Sequence, residues 1–91
     1  MTIAAQCTAI LATGVKPTVP QVLPIVQAYY SKEGNICGGS LHIVLDDGNT
    51  ETHSVEFCEQ LAREHGDEDG VELARVLLRM SRTQRERLYR M

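Results

Sequence analysis

Residues that carry chemistry crowd one stretch, SLHIVLDDGNTETHSVEFC, residues 40–58, which holds His42, Asp46, Asp47, Asn49, His53 and Cys58, with Cys37 just ahead of it. Cys37 and His42 are spaced C-x4-H, and His53 and Cys58 are spaced H-x4-C. Two thiolates and two imidazoles can complete a tetrahedral zinc site. The spacing departs from the C-x2-4-C and H-x3-5-H pairs of most zinc sites, because each pair here mixes the two ligand types. The set Cys37, His42, His53 and Cys58 is therefore a candidate for structural zinc only, and the sequence is read as needing no cofactor. Asp46, Asp47, Glu51 and Glu56 with His53 offer a second chemistry, a divalent ion or an acid and base pair. DDGNTE lacks the closing Glu of a calcium loop, so Asp-Asp-Gly-Asn reads as turn or helix-end chemistry. Cys37 beside Gly38-Gly39 offers a third, a thiol in a loop. A thiol needs a positive neighbour or a helix N-terminus to become a nucleophile; a helix over 40–47 would begin just after Cys37 with His42 near, an arrangement that is not a motif. No catalytic residue is assigned, and the chain is not read as an enzyme. A small metal- or thiol-dependent enzyme is the second alternative.

The other concentration of chemistry is basic. Arg75, Arg79, Arg82, Arg85, Arg87 and Arg90 lie in the last twenty residues or so. Such a face can lie on phosphates. The charge is bipolar: residues 1–40 sum to +1, residues 41–70 carry nine acids against Arg63, and residues 71–91 sum to +4. The two poles either satisfy each other in the fold or in an oligomer, or each faces a charged partner. The net charge of −3 and the lack of a helix-turn-helix pattern weigh against nucleic acid, which is kept as the first alternative. Only Tyr29, Tyr30, Phe57 and Tyr89 are aromatic, too few for a base-stacking platform.

These residues need elements to hold them. At 91 residues the chain is read as a single domain, 1–91. No run is long enough to cross a membrane, and MTIAAQCTAILATG lacks the basic start of a signal peptide. Three cysteines without paired spacing fit reduced thiols and a cytoplasmic setting.

Thr2 caps a first helix to about Thr13, with Ile3, Cys7, Ile10 and Leu11 as its apolar stripe and Gly14 as its stop. Pro20 or Pro24 opens a second helix, and Val22, Ile25, Val26 and Tyr29 line one face before Gly34. One tyrosine of Tyr29 and Tyr30 is expected inside and the other half-exposed. Ser40 to Asp47 reads either as a short helix or as the first strand of a hairpin returning through NTETHSV. Thr52 or Ser54 caps the next helix, which runs to about His65 with Val55, Cys58, Leu61 and Ala62 inward. Asp67 opens another, with Val71, Ala74, Leu77 and Leu78 inward, helped by Leu73 and Met80. The short link at Gly66 makes these two an αα-hairpin. Ser81 and Gln84 form a capping box, S-x-x-Q, for a last helix docked through Leu88. The expected fold is mainly α, a compact bundle of five or six short helices. The alternative is α+β, with one short β-hairpin at residues 40–54.

GG-x-LHIVLDDGN, the later FC and the closing LL-x-MS-x-TQR, together spanning residues 34–87, resemble small proteins encoded by phages and prophages. The resemblance implies a setting, the cytoplasm of an infected or lysogenic bacterium, and carries over no functional residue. In that setting the expected function is a small accessory binding protein acting through protein-protein contacts, an inhibitor of a host defence protein. Its expected contact residues are Asp46, Asp47, Asn49, His53, Arg79, Arg82 and Arg85. Its expected partner is a host or phage protein, with a homo-oligomer or nucleic acid as alternatives and no membrane.

Overall fold

The structure is a computed structural model that describes residues 1–35 and 51–90, with the side chains of all of these except 51–54 and 89. Among the described residues it holds five helices and no strand: α1 (Ile3–Ala12), α2 (Val19–Ser31), α3 (Glu51–Glu64), α4 (Glu68–Arg79) and α5 (Arg82–Tyr89). This is the expected mainly α bundle.

Each helix begins where local chemistry satisfies its first N–H groups. The Thr2 hydroxyl accepts from the Ala5 N–H at 3.0 Å and starts α1, and Gly14, at φ 71°, ends it. Only Gly takes this conformation without strain. In α2 the Gln21 side chain reaches back to accept from the Thr18 N–H at 3.0 Å, the returning half of a T-x-x-Q box. Pro20 sits in the first turn, as expected, but Pro24 lies inside the helix. A proline there removes one i→i−4 bond. Its exposed position turns that missing bond toward water.

The third helix corrects an expectation. It has begun by Glu51, so Thr52 and Ser54 lie inside it and neither is its N-cap position. The same fact excludes the returning strand of a hairpin over 40–54, because residues 51–55 are helical. The conformation expected for residues 40–49 lies outside the described residues. Helices α3 and α4 form the expected hairpin. Its turn is closed by the Asp67 N–H donating to the Ala62 carbonyl at 2.8 Å, with Gly66 at φ 71°.

Helix α4 is the centre, packing against α1, α2 and α3, while α5 packs on α2. Its buried residues accordingly occupy a broad arc, Gly70, Leu73, Ala74, Val76 and Leu77. The expected stripe placed Val71 and Leu78 inward and missed Val76; the structure leaves Val71 and Leu78 only partly buried and covers Val76 completely. A helix packed on three sides has no single stripe. Around it gather Cys7, Val22, Ile25, Val26, Tyr29, Val55, Cys58, Ala62, Met80 and Leu88. Tyr29 is fully buried and Tyr30 half-buried. The radius of gyration, 11.6 Å, is close to the roughly 12 Å of a packed chain this long. No helix among the described residues is long and apolar enough to cross a membrane.

Candidate functional site

The strongest concentration of described charge lies at the N-terminus of α4. Asp67 is the N-cap, its Oδ1 accepting from the Gly70 N–H at 3.2 Å. The same carboxylate accepts from the Tyr29 hydroxyl at 2.7 Å and from Lys32 Nζ at 2.9 Å. Lys32 also pairs with Asp69 Oδ2 at 2.9 Å, and its ammonium lies 5.7 Å from the centre of the Tyr29 ring. Asp69 Oδ1 in turn accepts from the Ala4 N–H, in the first turn of α1, at 2.8 Å. One cluster thus joins the start of α1, the end of α2 and the start of α4. It borders a polar cleft of about 360 Å³ that Gly34, His65 and Glu68 also line.

The electrostatics of this cluster are those of a structural joint. Burial pulls the Lys32 ammonium down, but the hydrogen bonds and charges of Asp67 and Asp69 outweigh it and leave its pKa above the usual lysine value. A lysine acting as nucleophile or base needs the opposite shift. Gly70 is part of the joint too. A Cβ there would lie 2.8 Å from Asp67 Oδ2, 2.8 Å from the Tyr29 hydroxyl and 3.0 Å from Ala62 Cβ.

The thiols follow the same logic. Cys7 is fully buried in the core, and burial, with the charges of Glu72 and Asp69, pushes its pKa up to about 12. A reactive cysteine is shifted the other way. Cys58, a candidate zinc ligand, is fully buried in the same core. Cys37 and His42 lie outside the described residues, as do Asp46, Asp47 and Asn49. His53 falls in the first turn of α3, its side chain outside the described set. Among the described residues no group of three or more His, Cys, Asp or Glu could hold a metal ion. An open groove of about 530 Å³ runs between α1 and the α3–α4 hairpin, with Ala4, Ala5, Thr8, Ala62 and Val71 among its walls.

The arginines separate into two sets. Arg63 and Arg75 both reach Glu59, at 2.7 and 3.4 Å, and Arg75 also reaches Glu72 at 3.1 Å. Part of the acidic middle and part of the basic tail therefore do satisfy each other. Arg85 is half-buried, and its guanidinium donates to the Met80 carbonyl at 2.9 Å, bracing the bend between α4 and α5. Arg82 is exposed and paired with Glu86, four residues on, at 3.2 Å. Arg79, Arg87 and Arg90 are exposed and form no ion pair among the described residues. On α5, Leu88 points inward with Gln84 and Arg85, which puts Arg82, Thr83, Glu86, Arg87 and Arg90 on the outer face. The expected contact residues of the tail are thus placed differently from one another: Arg79 and Arg82 outward, Arg85 inward. Arg87 and Arg90, part of the basic tail but not among the expected contact residues, are exposed as well; the helical phase set by Leu88 was the available signal.

Gln84 departs from its expected role. The Ser81 hydroxyl accepts from the Gln84 N–H at 3.3 Å, as a capping box requires. The Gln84 side chain does not return to Ser81; it accepts from the Val19 N–H at 3.0 Å, capping α2 from α5. Comparison with protein-family models, curated proteins and solved structures finds no match to this chain.

Proposed function

We propose that this chain is a small binding protein that works through protein-protein contacts, encoded by a phage or prophage and acting in the bacterial cytoplasm against a host defence protein. The observation that carries the binding part is the contrast between inward and outward charge. Lys32, Asp67 and Asp69 are engaged in joining helices, whereas Arg87 in the last turn of α5 and Arg90 at its C-cap are exposed, with no ion pair among the described residues. The phage setting and the defence target rest on the resemblance of residues 34–87.

The test is affinity capture from a host lysate on the immobilised chain, with phage plating on cells that express it. The expected result is stoichiometric retention of one host defence protein and a higher plating efficiency for a phage that this defence restricts. Retention of no host protein at low ionic strength would sink the reading.

The exposed arginines also favour a second reading, association with nucleic acid through the C-terminal helix. Binding to duplex DNA or single-stranded RNA that weakens steeply with salt is its signature. Absence of binding at low salt removes it.

A further inference from the structure

We infer that the outer face of α5, centred on Arg87 and Arg90, is a docking surface for an acidic segment of a partner protein, an inference that rests on the binding function proposed above. Three observations carry it. First, the face has local charge left over. Of its three arginines, Arg82 is balanced by Glu86 at 3.2 Å, while Arg87 and Arg90 have no ion pair among the described residues. Arg87 lies in the last turn of α5 and Arg90 at its C-cap, three residues on, so one acidic segment can reach both. Second, the face is firmly mounted. Leu88 is buried beneath it, Gln84 holds the Val19 N–H at 3.0 Å, and Arg85 holds the Met80 carbonyl at 2.9 Å. A rigid mount lowers the ordering entropy that a partner must overcome. Third, the pattern of charge selects the occupant. Glu86 stands among the arginines, with its side chain 48% exposed. A phosphate backbone meets that carboxylate as a repulsion at short range. An acidic protein segment can set a neutral or basic residue opposite it and carboxylates opposite Arg87 and Arg90. Guanidinium and carboxylate pair with two parallel hydrogen bonds, which favours this occupant further.

The experiment measures fluorescence anisotropy of a labelled peptide that alternates glutamate with alanine, and of a duplex DNA of equal total charge, with the full chain. The same variants are carried through the host capture. The expected result is tighter binding of the peptide than of the DNA. The double variant Arg87→Glu with Arg90→Glu weakens the peptide by about tenfold or more, the loss of two charge-assisted contacts. Arg63→Gln, a change at an exposed arginine on α3, leaves it unaltered. Both reversed residues are exposed, so an unchanged circular dichroism spectrum is expected of the double variant, with a urea midpoint lowered only slightly by acids at the negative end of α5. Peptide binding that survives the double reversal overturns the assignment, as does tighter binding of the duplex. A host protein retained equally by wild type and double variant overturns the α5 assignment and leaves the binding function standing. No host protein retained by wild type overturns both.

Discussion

At the scale of single residues, Gly70 shows how context reverses an intrinsic preference. In a helix interior Gly→Ala ordinarily adds stability, by about 1 kcal/mol. Here the added methyl would meet the Asp67 carboxylate and the Tyr29 hydroxyl at 2.8 Å. Gly70→Ala is therefore expected to destabilise, by about 1–3 kcal/mol as in other overpacked sites, with a lower urea midpoint as the readout. Two other residues make stability depend on alkaline pH. Cys7 has a folded pKa of about 12 against an ordinary 9.0, and that of Lys32 is raised above the ordinary 10.5. A group whose pKa is raised by folding contributes fully below its unfolded pKa and loses that contribution as pH rises through the folded one. Stability from Cys7 should hold up to about pH 9 and fall between there and about 12; that from Lys32 should fall at pH values above 10.5. Urea denaturation at stepped pH checks this, and Cys7→Ala should flatten the fall that begins near pH 9.

At the scale of elements, both N-terminal helices are capped from the C-terminal half. Asp69 accepts from Ala4 at the start of α1, and Gln84 accepts from Val19 at the start of α2. The N–H groups of a first helical turn have no partner within their own helix, so these two bonds satisfy donors that α1 and α2 cannot satisfy alone. Gln84→Ala should cost about 1 kcal/mol, the usual net value of such a bond. The distinguishing readout is hydrogen exchange: the Val19 amide, not those of the middle of α5, should exchange faster. If Gln84 acted instead on Ser81, closing the capping box, the effect would appear within α5.

At the scale of the whole molecule, α4 is in contact with α1, α2 and α3, so the hydrophobic core is shared rather than divided. Leu73, fully buried at its middle, is the residue through which that sharing is best tested. Leu73→Ala should cost about 2–5 kcal/mol, the range for a buried Leu truncated in a close-packed core. It should shift helicity and tyrosine fluorescence together in one urea transition, because α1, α2 and α3 all lose packing when α4 loosens. Separate transitions for the two signals would show that the helices are stabilised independently.

Local pattern was enough to find most of the helices. Thr2, Ser81 and Asp67 as caps, Gly14 and Gly66 as stops, and Cys7, Val22, Ile25, Val26 and Tyr29 as inward residues all follow from spacing of 3.6 residues and from the needs of helix ends. The start of α3 did not follow, because Thr52 and Ser54 are good caps in isolation and nothing local says that the helix passes through them. Of the expected contact residues, Asp46, Asp47 and Asn49 lie outside the described set. In the tail the pair Arg82–Glu86 follows from its spacing of four. That Arg75 also meets Glu59 across the α3–α4 hairpin does not follow from spacing along the chain. Apart from the start of α3, the helices follow from hydrogen bonds and side chains within a few residues. Long-range packing is what turns Lys32, Asp67 and Asp69 toward one another and sends the Gln84 side chain from its own helix to α2. Those choices belong to charges and donors brought together from opposite ends of the chain.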